Sequence, residues 1–513
     1  MNAGKITPFP FISSTTFVAM GIVFRQSVKT SIVTFAGAFL GAVTLYLGAK
    51  LIPKQQLGFI RNTLPEQAAL FAQVFSFGLN VTMMVYVHKY AVNDKRRTAL
   101  ISMNLILPTL CLICLLPVYL FYKNDVVNLF QPHDRNLIDS FYIWLPILTL
   151  FFLYMLVLEQ YLMSQLKVAA ATFMREVLLR VLTIGLIVLY GYNLISFQTF
   201  VPSTVLVFIL PILLLIFLTI KTEGFKINFN WNVFTKADRK ELVSFTWYHF
   251  LLTISINMMA KIDIILLGMW SSLSAAAVYG IAVYILSFLQ IPYRAMLMAS
   301  FPILTKAFHD NDMQKVRDVF LRSSLNILVA SVGLAAIICC NLHNAIAILP
   351  QGYEAIVPLV LILIIGKLFD LSTGMNDQLL SISNYYRFSF LISVIIVVLL
   401  IIFNYLLIPK YAYYGAAVAT TIALMVFNIA KLVYVNAKLS LQPFSKKSFL
   451  IVIAGGAAAV VGYIFPFVLN PVVDAIIRSL IIVITYLSLL IILKPSQDLN
   501  TYLLSVKQNK RLF

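Results

Sequence analysis

Residues 390–408 read Phe-Leu-Ile-Ser-Val-Ile-Ile-Val-Val-Leu-Leu-Ile-Ile-Phe-Asn-Tyr-Leu-Leu-Ile, with no charge anywhere in the run. A helix of about 20 such residues crosses the hydrocarbon core of a bilayer. A barrel strand is about half as long and alternates between faces, so solid runs of this kind exclude a transmembrane β-barrel. Working outward from this stretch, similar runs centre on residues 30–51, 67–89, 99–122, 141–163, 168–191, 199–220, 245–269, 275–300, 323–346, 355–381, 387–408, 413–436, 448–469 and 473–493. That makes about 14 predicted spans. The composition agrees: of 513 residues, 61% are hydrophobic and 11% charged. A soluble domain carries about a quarter charged residues, so soluble enzymes and disordered chains are excluded. The predicted fold class is an all-α integral membrane protein.

The net charge is +19. Nucleic-acid binding needs a solvated basic domain, and no polar stretch here is long enough to form one. Lys and Arg instead collect on the cytoplasmic side of a bilayer. With the N-terminus inside, the inner segments carry 25 of the 38 basic residues, the outer loops 7 and the spans 6. Both termini are therefore predicted to be cytoplasmic. The first outer loop, with Lys50, Lys54 and Arg61, departs from the rule. Cys111-Leu-Ile-Cys114 has the spacing of a redox or zinc pair but lacks a second pair, and Cys339 and Cys340 also lie in apolar sequence. All four read as small packing residues. No signal peptide, metal site or cofactor is expected, and no catalytic constellation stands out.

Two inner segments carry helix-start signals. Thr235-Lys-Ala-Asp238 resembles an N-cap with an acidic third position and predicts a short interfacial helix entering the seventh span. Residues 309–322 predict a second one, with Val316 and Phe320 on one face. Leu57-Gly58 after the first span corresponds to Tyr279-Gly280 after the seventh, 222 residues later. Six spans per half would relate the halves by an axis along the membrane normal. Gly37-Ala-Phe-Leu-Gly41 reads as a close-packing motif between helices.

Charges inside spans are the candidates for function, because each costs about 2.5–3.5 kcal/mol or more on insertion scales. The bases are Arg175, Arg180, Lys261, Arg294, Lys367 and Lys431, and the acids are Glu159, Glu176, Asp263, Asp370 and Asp377. Glu176 with Arg180, and Lys367 with Asp370, are spaced to pair on one helix face. Lys261 and Asp263 are two apart and cannot share a face, so at least one needs a partner on another helix. Glu159, Arg175, Asp377 and Lys431 lie near span ends, where snorkelling would suffice. In Gln290-Ile-Pro-Tyr-Arg294, Pro292 frees a carbonyl one turn earlier, and a broken helix at membrane depth is tolerated where it lines a cavity.

Several short motifs then resemble one family. Phe24-Arg25-Gln-Ser27-Val-Lys29 opens the first span. Leu51-Ile-Pro-Lys-Gln-Gln-Leu-Gly58-Phe-Ile-Arg61 closes the first outer loop. Met258-Met-Ala-Lys-Ile-Asp263-Ile-Ile-Leu-Leu-Gly268 and Ala277-Val-Tyr-Gly280-Ile-Ala look like second-half counterparts. Leu407-Ile-Pro-Lys-Tyr411 precedes Tyr414-Gly-Ala-Ala-Val-Ala-Thr420. Together, over roughly residues 20–495, they resemble O-antigen-type polysaccharide flippases of the multidrug/oligosaccharidyl-lipid/polysaccharide exporter superfamily. The resemblance implies two six-helix lobes in a pseudo-twofold arrangement, working by alternating access, with two additional C-terminal helices that border a lipid groove in some relatives. It implies a non-enzymatic transporter in a bacterial inner membrane, moving a polyprenyl-pyrophosphate-linked oligosaccharide outward for polysaccharide or lipopolysaccharide synthesis, in company with polysaccharide assembly enzymes. A cationic cavity would meet the pyrophosphate, with Arg25, Arg180, Lys261, Arg294 and Lys367 as the candidate bases. Asp263 and Asp370 are candidates for a coupling cation.

The corresponding division of the chain is an N-terminal extension (1–19), an N-lobe (20–220), a linker (221–244), a C-lobe (245–440), two further helices (441–495) and a tail (496–513). A multidrug exporter of the same superfamily is the alternative; it favours an acidic or aromatic pocket. A membrane-embedded polymerase or glycosyltransferase usually has a sizeable outer loop, and the longest here, Lys123 to Ser140, leaves no room for a folded domain. For the topology, a reporter that is active only outside the cytoplasm should be silent when fused at Lys507 and active when fused at Asn128. The opposite pair of results would invert the orientation.

Overall fold

The computed structural model describes residues 16–91, 94–165, 167–223, 230–383, 385–467 and 470–494, without the side chains of 16–28, 222–223 and 386. Residues 1–15 of the expected extension, Lys226 in the linker, the tail 496–513 and the side chain of Arg25 lie outside the described residues. Among those described, every regular element is helical. The first half contains α1 (Thr16–Leu51), α2 (Leu64–Phe75), α3 (Leu79–Tyr86), α4 (Lys95–Phe121), α5 (Pro132–Ser140), α6 (Trp144–Ser164), α7 (Leu179–Gly191), α8 (Phe197–Leu206) and α9 (Ile209–Glu223). The second contains α10 (Lys236–Trp270), α11 (Leu273–Ser287), α12 (Gln290–His309), α13 (Met313–Ile348), α14 (Ile356–Ser372), α15 (Asn376–Ile382), α16 (Tyr386–Leu439), α17 (Lys446–Ile464) and α18 (Pro471–Leu493).

Nine described helices are long and apolar enough to cross a membrane, or up to 12 when each of three bent pairs counts as one span. One bent pair is α11 with α12, turned by 43° between Ser287 and Gln290. Pro292 lies in the first turn of α12, so the break falls about one turn before the proline, as its missing N–H predicts. α16 is two helices joined over Ala412, whose φ of 48° is left-handed. Residues 168–191 form one helical stretch with a π turn inside, Met174–Leu178. Splitting α16 and counting that stretch would bring 12 spans to the 14 read from hydropathy.

The two interfacial helices are not separate elements. Thr235 does cap: its Oγ1 accepts from the Asp238 N–H at 3.1 Å and its own N–H donates to Asp238 at 3.4 Å. Asp312 caps α13 through the Lys315 N–H, and Val316 and Phe320 are fully buried within the protein. Both helices then run on into their spans, because no Pro or Gly interrupts residues 236–267 or 313–332.

Contacts divide the chain into two compact units. The first gathers α1 with Phe71–Leu120 and Ile143–Leu251; the second gathers Ile52–Leu70, Phe121–Tyr142 and the chain from Leu252 on. The stretch 52–70 and the loop 121–142 thus pack with the later helices. The buried Asp134 carboxylate accepts from the Leu273 N–H at 2.9 Å and from Gln55 at 2.7 Å. Asn62 donates to the Ala276 carbonyl at 2.6 Å. The two glycines of the faint repeat meet at this contact: a Cβ on Gly58 would lie 1.7 Å from the Leu273 carbonyl oxygen, and one on Gly280 would lie 2.5 Å from the Asn62 amide. Two of the three basic residues of the first outer loop, Lys54 and Arg61, lie in the second unit and find partners there. Lys54 donates to the Gly352 carbonyl at 2.6 Å and Arg61 lies 5.5 Å from the Tyr284 ring.

Inside the first unit, Ala72, Met83, Leu153 and Tyr161 form one apolar cluster. Arg97 is buried and donates to the carbonyls of Val87 and Tyr90. In the second unit, α13, α17 and α18 share a cluster that includes Val332, Ala454, Ile482 and Tyr486. Lipid supplies no hydrophobic force between helices, so close packing and interhelical hydrogen bonds hold such contacts. The Tyr486 hydroxyl donates to the Val329 carbonyl at 2.9 Å, as that rule asks.

Arg478, counted above with the outer loops, lies inside α18 and is buried. It pairs with Asp474 at 2.9 Å and donates to the carbonyls of Gly462 and Phe465, joining α18 to the end of α17. Breaking one side of a buried pair costs about 3–5 kcal/mol, whereas replacing both sides by apolar residues is often neutral. Arg478→Leu should therefore lower the melting temperature of the detergent-purified protein. Adding Asp474→Leu should recover most of the loss, and a double variant as unstable as the single one would contradict this account.

Candidate functional site

A cavity of about 370 Å³ lies within the second unit. Asp263 on α10, Tyr279 and Ser287 on α11, Gln290 on α12, Lys367 and Asp370 on α14 and Thr420 on α16 bring polar groups to an otherwise apolar wall. α10 positions Asp263 because Lys261, two residues earlier, points elsewhere and pairs with Glu66 of α2. This is the division of faces that their spacing requires.

Asp263 is buried. Its Oδ2 accepts from the Tyr279 hydroxyl at 3.0 Å and the Thr420 hydroxyl at 2.5 Å, while Oδ1 has no protein partner among the described residues. Both donors are neutral. A carboxylate so placed is half satisfied and electrically unpaired, the state that binds a proton or a metal cation. Lys367 donates to Asp370 at 2.9 Å, three residues along α14. The second oxygen of Asp370 accepts from Asn428 at 3.1 Å, and Asn428 in turn accepts from Thr373 at 3.2 Å. The cavity thus carries two acids and one base whose charge is already matched. Its chemistry suits a small cation, with hydroxyl and carboxylate oxygens as ligands.

The other predicted residues lie elsewhere. Among the described residues, Lys367 alone of the five candidate bases lines this cavity. Arg294 is exposed and donates to Gln290 on its own helix at 3.2 Å, so it stands one hydrogen bond from the wall. Arg180 belongs to the first unit, where it pairs with Glu176 at 2.6 Å and donates to the Gly37 carbonyl of α1. Lys431 is buried against Asp377, with its ammonium 3.3 Å from the Phe427 ring centre. Sequence reading missed Glu66, Tyr279, Thr420 and Asn428 as partners. Tyr279 and Thr420 lay within the quoted motifs, but an uncharged polar residue in an apolar run announces no role. Glu66 and Lys261 are 195 positions apart, so no spacing rule connects them.

Residues 23–308 match the family described as polysaccharide biosynthesis protein, more than half of the chain. No curated protein sequence matches. Among solved structures, the chain is similar to the lipid II flippase MurJ in an inward closed conformation, at 16% identity with a TM-score of 0.71, covering 91% of this chain and 98% of that one. It is also similar to a multidrug resistance MATE family transporter of the MOP superfamily in an inward-facing conformation, at 14% identity, TM-score 0.60, covering 81% and 98%. A third is a MOP superfamily transporter from Pyrococcus furiosus, at 13% identity, TM-score 0.54, covering 84% and 99%. At these identities the likeness is one of fold, and the sequence match carries the family. The chain belongs to the polysaccharide biosynthesis protein family and has the helical fold shared by MurJ and the MATE transporters.

Proposed function

We propose that this protein flips polyprenyl-pyrophosphate-linked oligosaccharides from the inner to the outer leaflet of a bacterial cytoplasmic membrane by alternating access, supplying glycans of the O-antigen type. The observation that carries this reading is a second cavity in the second unit. It is an open groove of about 670 Å³ between α13, α14, α16 and α17, apolar almost throughout, with Val332, Ala336, Cys339, Phe369, Val452 and Gly456 among its walls. Such a groove suits a hydrocarbon chain and offers nothing to a sugar. α17 and α18 are the pair of C-terminal helices that the resemblance associates with a lipid groove. The lobes 20–220 and 245–440 would be the moving parts, with 221–244 as their linker and both termini cytoplasmic. Enzymes of polysaccharide assembly would act before and after it.

In this reading Asp263 is the coupling-cation site, with Asp370 the second acid. Arg25 and Arg294 are then the bases left for the headgroup, since Asp370 matches Lys367, Glu176 matches Arg180 and Glu66 matches Lys261. The multidrug-exporter alternative is favoured by one observation, the acidic excess of the 370 Å³ cavity, which would also attract a cationic drug. The groove weighs against it, since a soluble amphiphile needs no path for a long chain.

Gly456 gives a direct test. A Cβ there would meet nothing within 4 Å, so the backbone accepts a side chain that fills the groove. Gly456→Phe should cut flipping of a lipid-linked oligosaccharide in vesicles about tenfold or more at unchanged protein level. Gly185→Phe on α7, equally unobstructed, should leave flipping intact. Normal flipping by Gly456→Phe would remove the groove from the path.

Asp263→Asn keeps the shape and removes the charge. It should abolish the response of flipping to an imposed sodium or proton gradient while leaving the melting temperature equal or higher, because a buried charge has been removed. A gradient response equal to the parent's would rule out Asp263 as the coupling site.

A further inference from the structure

The first unit holds a group of charges that the cavity does not use. Glu159 on α6 pairs with Arg175 Nη1 at 2.6 Å, and Arg175 Nε donates to Glu176 at 3.2 Å. Glu176 pairs with Arg180 at 2.6 Å, and Arg180 reaches the Gly37 carbonyl on α1. The signs alternate and the four charges sum to zero. Arg175 and Glu176 sit on the π turn Met174–Leu178, an irregularity found disproportionately at functional sites.

The two arginines are held differently. Arg180 is gripped by a carboxylate on its own helical stretch and by main chain on another helix. Arg175 has two carboxylates only. Its Nη2 has no protein partner among the described residues, and 48% of its side chain is uncovered. Glu159 is the reverse. It is 4% exposed, Oε2 takes Arg175, and Oε1 has no partner among the described residues. Among those residues the charged groups that act on Glu159 are Arg175 and Glu176, and Glu176 keeps Arg180 beside it.

We propose that this chain of charges is a proton-linked anion site, in which Arg175 receives a phosphate or pyrophosphate group on its uncovered side while Glu159 takes up a proton. It rests on the reading that the cargo carries a pyrophosphate headgroup. A guanidinium meets a phosphate best through two parallel hydrogen bonds. The Nη1–Nη2 edge becomes available when Arg175 gives up Glu159; the Nε–Nη2 edge would instead cost it Glu176, which also holds Arg180. A buried carboxylate abandoned by its counter-charge is strongly destabilising, and a proton from water removes the penalty by making it a neutral carboxylic acid. No covalent bond other than the new O–H is formed. The four groups go from zero net charge to one positive charge, which the anion offsets. By linkage, the anion must raise the proton affinity of Glu159 by the same factor as the proton raises anion affinity. The snorkelling expected of Glu159 and Arg175 is thereby replaced by an exchange of partners.

The test uses the full-length protein in lipid nanodiscs, in weak buffer with a pH-indicating dye. The probes are inorganic pyrophosphate and, separately, a polyprenyl pyrophosphate placed in the bilayer. The parent should take up about one proton per anion bound, and its Kd should fall up to about tenfold per unit decrease in pH while Glu159 is ionised. Glu159→Gln should bind without proton uptake and with little dependence on pH. Arg175→Gln should weaken binding about a hundredfold, and Arg175→Lys should keep part of it. Binding to the parent without proton uptake overturns the proposal and needs no variant, as does a Glu159→Gln protein that still takes up the proton, or a parent that binds neither probe. A linked response to the lipid alone supports the site with a headgroup as its ligand. A linked response to inorganic pyrophosphate alone supports the site but removes the lipid-linked cargo. Normal flipping in vesicles with Arg175→Gln and Glu159→Gln both unaltered leaves the flippase reading standing and overturns this site.

Discussion

A charge carried into a bilayer survives there only with a counter-charge, a full set of hydrogen bonds, or a proton that cancels it. The organisation of this protein follows from that constraint. Helices form because lipid satisfies no backbone group, and the few charged side chains within them decide which helices must touch. Lys261 brings α10 to α2 through Glu66. Lys431 holds α16 to α15 through Asp377. Arg478 ties α18 to the last carbonyls of α17. Arg180 ties its helical stretch to α1 through a main-chain carbonyl.

The exceptions to full pairing are as informative as the pairs. Asp263 has two hydroxyls and no base, and Glu159 has one base and an idle oxygen. Each belongs to a different compact unit. A buried carboxylate short of partners is a place where a proton or a small cation would find a ligand.

Much of this was legible in the sequence. The length of the run 390–408, the i,i+4 pair Glu176–Arg180, the i,i+3 pair Lys367–Asp370 and the opposed faces of Lys261 and Asp263 are local consequences of helix geometry, and all appear as read. The break before Pro292 is equally local. What could not be read depends on contacts between distant segments. Asn428 reaches Asp370 from 58 positions away, and the loop residue Asp134 reaches Leu273 from 139 away. The interfacial helices fused with their spans because a start signal says where a helix begins, while its end depends on a breaker that neither segment supplies. Arg478 falls inside the predicted span 473–493, and counting it with the outer loops overlooked a buried partner four positions earlier.

The meeting of Gly58 and Gly280 has a consequence for heredity. Each glycine is hemmed in by the segment carrying the other: Gly58 by the main chain of Leu273, Gly280 by the side chain of Asn62. A codon change to alanine at either place cannot be absorbed alone. At Gly280 a shorter neighbour than Asn62 could make room, so those two codons would drift together. At Gly58 the obstruction is backbone, which no single substitution can trim. That site should stay frozen in every descendant that keeps this packing.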